Sequence, residues 1–183
     1  RLFEIGNVFS GDIKNHKEVE KIAAIAIGSI EEESWNSKHN DISFFDLKGD
    51  LDSLLLSNNE KGFFSYKSNK DNKNFHPSFS ADIYRKSEII GVIGMLNPIL
   101  TRRFDISEDV YFFEIDYKKA FKRSPIKARP ISKYPQIRRD ISIVVDSHII
   151  SSALIDTVKK IKPSIIQSVN VFDVYEGKNI EEG

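Results

Sequence analysis

The spacing of apolar residues predicts short strands over most of the first 117 residues, with one clear helix among them. Each predicted strand is a short apolar or alternating run bounded by turn-forming residues such as Gly, Asn, Asp and Ser. Between residues 43 and 57, by contrast, five apolar residues recur at spacings of three and four, which gathers them on one helical face. These five are Phe44, Leu47, Leu51, Leu54 and Leu55. The strands are predicted at residues 1–9, 22–27, 62–67, 80–85, 88–96 and 109–117.

The order of these elements predicts an α+β fold with a mostly antiparallel sheet, because the strands do not alternate regularly with helices. The run 22–27 suits a strand buried on both faces, although its pattern also allows a short buried helix. Residues 80–85 and 88–96 are separated by only two residues and predict a hairpin. One helical turn is predicted after them, with Pro98 at its first position.

Gly91 and Gly94 lie within the last strand of that hairpin and do not form a phosphate-binding loop. No helix follows them directly, and neither G-x-G-x-x-G nor G-K-[ST] occurs in the chain. We interpret them as positions that permit close packing within a strand.

The composition changes abruptly at residue 118. Between Tyr117 and Arg139 there are nine Lys or Arg residues, three prolines and no Asp or Glu. Because proline fixes φ and removes a backbone donor, residues 118–130 are predicted to be an extended basic linker. We therefore expect one domain at residues 1–117 and another at residues 131–183.

The last third of the chain has the order β-α-β-turn. Residues 137–146 alternate as a strand, residues 148–163 form an amphipathic helix that Pro163 ends, and residues 164–175 form a second strand. This order predicts a truncated ferredoxin-like β-α-β unit, the first half of a split β-α-β-β-α-β sheet. So small a unit buries little surface, so we expect it to pack poorly alone or to pack against the first domain.

Composition excludes several classes of protein. The chain has 183 residues, 40% hydrophobic and 30% charged, with a formal net charge of zero, so it can bury a core and is not a disordered chain. The absence of cysteine excludes disulfides and thiolate metal sites and fits a reducing cytoplasm. No apolar run approaches the ~20 residues of a membrane helix, so no membrane partner is expected. The chain starts at Arg1 without an initiator methionine or signal peptide, and we expect it to be part of a longer protein.

His76 is the most site-like residue in the chain. It could be a base or a metal ligand, or a structural histidine fixed by Pro77 in a loop before a strand. No Ser-His-Asp spacing and no second ligand histidine accompanies it, which favours the structural alternative. The basic stretch likewise has two interpretations, a solvated spacer or a phosphate-binding segment.

Several segments, in this order and spacing, resemble the C-terminal part of the bacterial phenylalanyl-tRNA synthetase beta subunit. The resemblance covers essentially the whole chain, and its most specific part is "YPQIRRDISIVVD" followed by "FDVYEG". The other segments are "RLFEIGNVF", "FFDLKGDLDSLL", "FHPSFSADIY", "IIGVIGMLNP" and "YFFEIDY". One departure is Ser78, which replaces the glycine of the family's usual "HPG", so the resemblance assigns that loop no role beyond structure.

The resemblance implies a non-catalytic class II synthetase-like domain at 1–117, followed by the first half of a ferredoxin-fold anticodon-binding domain at 131–183. It implies that the beta subunit works in a cytoplasmic α2β2 heterotetramer with the alpha subunit and tRNA(Phe). As part of phenylalanine--tRNA ligase, the beta subunit would serve assembly and tRNA recognition, while the alpha subunit catalyses with ATP and Mg. No catalytic residue, metal site or cofactor is expected in this segment.

Four residues form the predicted RNA-binding site. The arginines and the lysine would hold phosphates, and the tyrosine would touch an exposed base. They are Lys133, Tyr134, Arg138 and Arg139. In the alternative interpretation Arg138 pairs with Asp140 on the same strand face and has no RNA role. Two other classes of function stay open, a subunit-docking fragment that binds no RNA and an enzyme that uses His76.

Overall fold

The computed structural model describes residues 1–12, 14–32, 34–36, 40–56, 64–122, 133–161 and 165–175. The chain divides into two units, Arg1–Ala128 and Arg129–Gly183, which are treated separately below.

The first unit is built on a six-stranded sheet in which every neighbouring pair is antiparallel. The strands are β1 Leu2–Asp12, β2 Asn15–Ala26, β3 Phe64–Ser68, β4 Phe75–Arg85, β5 Glu88–Leu96 and β6 Tyr111–Asp116. Their spatial order is β1-β2-β6-β5-β4-β3. The helices are α1 Phe44–Leu56, α2 Pro98–Thr101, α3 Tyr117–Ala120 and, in the second unit, α4 Ser151–Ile161. This architecture confirms the predicted α+β class and antiparallel sheet.

Three local predictions for the first unit can be compared with the structure. Residues 22–26 of the run 22–27 belong to β2, so the strand interpretation is correct for them and the short-helix alternative is wrong. The predicted hairpin is β4–β5, with Lys86 at the turn in a left-handed conformation at φ 58°. Asn97 caps the predicted helical turn that begins at Pro98, because its side chain accepts a hydrogen bond from the Ile99 N–H at 3.0 Å.

The core of the first unit lies between α1 and the middle of one sheet face. Leu47, Leu51 and Leu55 recur every four residues along α1 and are all buried. On β6 the buried residues recur every second position instead, as expected for a strand with one covered face. These two periodicities place the buried leucines of α1 against the buried residues of β6. The amphipathic helix predicted from the sequence is therefore confirmed.

Ser43 fixes the start of α1. Its backbone N–H and its hydroxyl both donate to Oδ2 of Asp46, at 2.8 and 2.5 Å. These two bonds, the side-chain bond first, hold the pKa of the Asp46 carboxyl below its ordinary value. The charged carboxylate also interacts favourably with the positive end of the helix dipole.

The β1–β2 hairpin extends beyond the rest of the sheet. β6 pairs only with residues Lys21–Ala26 of β2, so the outer part of the hairpin is held by its own two strands. An ion pair between Lys21 and Glu114 ties β2 to β6 where their pairing ends. Every residue of β1 is exposed to solvent.

The second unit contains α4 but no strand among its described residues, which overturns part of the predicted β-α-β unit. The helix is confirmed, and Leu154 and Val158 on its predicted apolar face are half-buried. Residues 137–146 and 165–175, predicted as strands, carry no strand hydrogen bonding. The end of the chain, with the predicted turn at 176–179, lies outside the described residues.

Residues 137–146 and 165–175 form no strand ladder because their segments meet through side chains rather than through backbone groups. The Gln136 amide donates to the side-chain oxygen of Gln167, and the Arg138 guanidinium lies over the Phe172 ring. Strand pairing requires backbones about 4.8 Å apart. In a split β-α-β unit the two strands that flank the first helix are not neighbours. Each segment is therefore left without a backbone partner in the part of the chain that the structure describes.

The second unit is also poorly packed, as expected. None of its described residues is buried, and Ile141 of the predicted strand is 75% exposed.

Gly91 confirms that β5 and β6 pack too closely for a side chain at that position. A Cβ on Gly91 would lie 2.1 Å from the Glu114 carbonyl oxygen and 2.8 Å from the Ile115 Cα. Both are backbone atoms in the middle of the sheet, so neither can move without shifting β6. Gly94 is similarly restricted, since its Cβ would lie 2.5 Å from the Phe75 ring.

We predict that Gly91→Ala destabilises the first unit by about 1–3 kcal/mol or more, because an added methyl group overpacks the sheet. The matched control is Gly49→Ala in the middle of α1, where an added Cβ meets nothing within 4 Å. That control should be stabilising by up to about 1 kcal/mol, since alanine is the better helix former. Urea unfolding of both variants measures the difference, and equal effects would contradict the proposed close approach.

Candidate nucleic-acid interface

Arg138 occupies a defined position in the second unit. Its Nε donates to Oδ1 of Asp140 at 3.0 Å, and its guanidinium carbon lies 5.5 Å from the centre of the Phe172 ring. The side chains of Arg138 and Asp140 are 78% and 58% exposed, so water screens this ion pair strongly. The guanidinium is thus oriented by a carboxylate and an aromatic face, and the Arg138 side chain remains largely exposed.

The other three predicted RNA-binding residues lie on the same short segment. Lys133 and Arg139 are exposed, and Tyr134 is 84% exposed. The structure therefore places all four residues at the surface within seven consecutive positions. Surface cations can contact phosphates, and an exposed aromatic ring can stack on an unpaired base.

Phe172 is the neighbour of this site that the sequence analysis missed. It is 69% exposed and lies under the Arg138 guanidinium. Because 34 positions separate the two residues, only the return of the chain after α4 brings them together. The one available signal was the alternation of residues 164–175, which marks Phe172 as a side chain on one face but not which residue it meets.

The first cations of the basic stretch belong to the first unit. Lys118 and Lys119 lie in α3, so the start of the predicted linker 118–130 is helical, and residues 123–130 are outside the described residues. Lys119 Nζ contacts Oε1 of Glu88 at 2.8 Å. This hydrogen bond raises the pKa of Lys119 and lowers that of Glu88, so the positive charge of Lys119 already has a partner.

The contacts of His76 in the structure are local. β4 begins at Phe75, earlier than predicted, so His76 lies in a strand rather than in a loop. Its Nδ1 accepts the Ser78 N–H at 3.2 Å, and its ring packs 5.6 Å from the Phe79 ring. This local hydrogen bond lies where the register of β4 against β5 shifts. Within the described ranges, no three His, Cys, Asp or Glu side chains are grouped to hold a metal ion.

A second cluster, which sequence reasoning did not find, joins α1 to β3. The Tyr66 hydroxyl donates to Oδ1 of Asp52 at 2.5 Å, and Lys48 Nζ contacts Oδ2 of the same carboxylate at 2.6 Å. The Lys48 ammonium also lies 4.4 Å from the centre of the Tyr66 ring. Burial and the neighbouring carboxylate raise the pKa of the Tyr66 hydroxyl well above its ordinary value. The cluster holds the helix to an edge strand.

Comparison with known protein families accounts for both units. The family described as "Phenylalanyl tRNA synthetase beta chain CLM domain" matches residues 1–117. The chain belongs to the phenylalanyl-tRNA synthetase beta chain family. The family described as "Ferredoxin-fold anticodon binding domain" matches residues 132–183. The exposed segment with Lys133, Tyr134, Arg138 and Arg139 therefore lies at the start of the second match.

Curated relatives of this beta chain family match along the whole chain. Three of these relatives, each named "Phenylalanine--tRNA ligase beta subunit", come from Nitrosospira multiformis, Wigglesworthia glossinidia brevipalpis and Vibrio parahaemolyticus. They are 33%, 35% and 35% identical over 99%, 100% and 100% of this chain. The chain spans only 22%, 23% and 24% of their respective lengths.

Each helix in the described ranges is too short or too polar to cross a bilayer.

The Tyr66 cluster predicts a specific dependence of stability on pH. An unfolded tyrosine loses its proton near pH 10, whereas folded Tyr66 keeps it to higher pH. The stabilisation that comes from the protonated Tyr66 hydroxyl is complete below about pH 10. It is lost as the pH rises further, because only the unfolded chain releases the proton. Between pH 10 and 11 the free energy of unfolding should fall more steeply in the wild type than in Tyr66→Phe, by up to about 1.4 kcal/mol per pH unit.

Urea unfolding at a series of pH values measures both slopes. The two proteins should show parallel curves between pH 7 and 8, which serves as the internal control. Identical slopes above pH 10 would contradict the proposed protection of the Tyr66 hydroxyl.

Proposed function

We propose that this chain is the part of a phenylalanine--tRNA ligase beta subunit that recognises tRNA(Phe) and supports subunit assembly, while catalysis resides in the alpha subunit. The match of residues 132–183 to an anticodon-binding domain supports this proposal most directly. The exposed cations and the Tyr134 ring at the start of that match, with Phe172 against Arg138, provide a suitable chemistry for RNA.

In this proposal Arg138 is the central phosphate contact. Phe172 supports one face of the guanidinium, so the flat donor fork is already oriented before RNA arrives. A phosphate would compete with the Asp140 carboxylate for that fork, and the exposed ion pair is weak enough for the exchange. Lys133 and Arg139 would contact adjacent phosphates, and Tyr134 would stack on an unpaired base.

The first unit would serve assembly. Its antiparallel sheet, covered on one face by α1, supports a relationship to the class II synthetase fold without catalytic residues. We propose the alpha subunit as its partner in an α2β2 heterotetramer in the cytoplasm. ATP and Mg would bind the alpha subunit, and this segment would hold neither.

A subunit-docking fragment without RNA binding is the second candidate. The Arg138–Asp140 hydrogen bond favours it, because this is the pairing that a purely structural role for Arg138 requires. In that case the charge of Arg138 is satisfied within the protein.

The test uses the α2β2 enzyme with a complete beta subunit. Arg138→Ala and Arg139→Ala should each weaken tRNA(Phe) binding and reduce the dependence of log K on log salt by about one. The control is Arg103→Ala, an exposed arginine of the first unit, which should leave affinity and slope unchanged.

Asp140→Asn separates the two candidates. If Arg138 binds phosphate, loss of the competing carboxylate should strengthen tRNA binding, since the guanidinium no longer has to leave an ion pair. Unchanged affinity in all three variants of the second unit would reject the RNA-binding role and leave the docking role.

A further inference from the structure

The turn between β4 and β5 holds the segment through which the chain leaves the first unit. Arg85 and Glu88 are paired directly across this turn, so their side chains lie on the same face of the hairpin. Arg85 Nη2 donates to the carbonyl oxygen of Lys122 at 2.7 Å, and Glu88 Oε1 accepts from Lys119 Nζ at 2.8 Å. These two contacts together are called the exit clamp below.

The two sides of the exit clamp have matching spacings. Residues directly opposite each other in an antiparallel pair have Cβ atoms about 4.5–5.5 Å apart. Residues three apart on a helical turn are separated by about 5–6 Å. Lys119 lies in α3, and Lys122 comes three positions later, directly after the C-cap residue Phe121. A pair of side chains at the turn can therefore hold the exit segment at two points.

The charges of the exit clamp also match. Arg85 meets a carbonyl group just beyond the C-terminal end of α3, where carbonyl groups lack partners within the helix. The hydrogen bond from Lys119 lowers the pKa of the Glu88 carboxyl, and the charges of Lys122 and Arg85 lower it further. The charged carboxylate is thus favoured at this position.

Apolar contacts hold the same segment from its other side. Ala120 is fully buried, and Phe121 packs against the core of the first unit. The centre of the Tyr117 ring lies 5.2 Å from that of Phe121, and the Asp116 side chain accepts the Lys119 N–H at 3.0 Å. Burial therefore fixes the position of α3, and the exit clamp additionally fixes the course of the chain after Ala120.

We propose that Arg85 and Glu88 are positioning residues that fix where the chain leaves the first unit, and that they thereby raise the affinity of the beta subunit for tRNA(Phe). This inference rests on the proposed function, because it requires the second unit to bind tRNA. Anchoring the chain as far as Lys122 restricts the space open to the second unit. Less conformational freedom is then lost when tRNA binds. Neither positioning residue contacts the RNA.

The first test uses the α2β2 enzyme with a complete beta subunit. Glu88→Lys places a second cation against Lys119 and opens the exit clamp. The KM for tRNA(Phe) in aminoacylation should rise about two- to five-fold, the range that one exposed ion pair can supply. The kcat of ATP–pyrophosphate exchange with phenylalanine should stay unchanged, because tRNA takes no part in that reaction. A simple charge effect would have the opposite sign, since an added lysine attracts phosphates.

Rescue and control variants separate positioning from charge. Glu88→Lys/Lys119→Glu restores the ion pair with its charges exchanged and should return the KM for tRNA to near its original value. Arg85→Lys keeps a donor for the Lys122 carbonyl and should have little effect, whereas Arg85→Ala should raise this KM. Glu108→Lys makes the same charge change at another exposed position of the first unit and should not raise it.

Trypsin cleavage of the same enzymes reports on the exit clamp directly. Trypsin attacks the carbonyl carbon that follows a lysine, and Arg85 holds the carbonyl of Lys122. Cleavage after Lys122, followed by mass spectrometry, should be faster in Arg85→Ala and in Glu88→Lys than in the wild type. The variant with exchanged charges should be cleaved there at close to the wild-type rate.

Faster cleavage after Lys122 without a rise in the KM for tRNA would overturn the positioning role. Unchanged cleavage in both opened variants would overturn the exit clamp itself. In either case Arg138→Ala should still weaken tRNA binding, so the proposed function would stand. If Arg138→Ala also leaves tRNA binding unchanged, the proposed function fails and the positioning role fails with it.

Discussion

The packing of α1 against one face of an antiparallel sheet is the interaction on which the first unit depends. Three leucines at spacings of four pack against strand residues at spacings of two, and this match encloses the core of the first unit. The other elements are placed by it. Ser43 and Asp46 set where the helix begins, and Asp52 with Tyr66 holds its second half to β3. The order of the strands then determines which edge is left outside the reach of the helix.

The described residues of the second unit, 133–161 and 165–175, show no equivalent interaction. The helix α4 presents apolar residues, but within those ranges the segments on either side of it form no backbone ladder, so they offer no sheet face for the helix to cover. Two long side-chain contacts join the flanking segments among the described residues, one amide with amide and one guanidinium with a ring. Long polar side chains can reach across a gap that is too wide for main-chain hydrogen bonds.

The sequence predicted the features that depend on local periodicity and turn chemistry. The α1 face, the β4–β5 hairpin and the turn at Pro98 could all be predicted because each is encoded within a few adjacent residues. Strand pairing could not be predicted in this way, because it depends on which distant segment of the chain supplies the partner strand. The alternation of residues 137–146 is typical of a strand, yet alternation indicates only that a strand is possible.

The same limitation applies to the candidate site. Exposure of Tyr134 and Arg139 follows from the polar character of their segment, and the Arg138–Asp140 contact follows from a spacing of two on an extended chain. Phe172 and the Tyr66 cluster required the fold, because their partners lie far away in sequence. The strand order that leaves β1 outside is also a property of the whole sheet. It has a further consequence for local stability. Since β6 pairs with β2 only from Lys21 onward, opening the outer part of the β1–β2 hairpin breaks one ladder, whereas opening its inner half breaks two. Amide hydrogen exchange should therefore be fastest at the hairpin tip and slow markedly where the Lys21–Glu114 ion pair closes the third strand onto it.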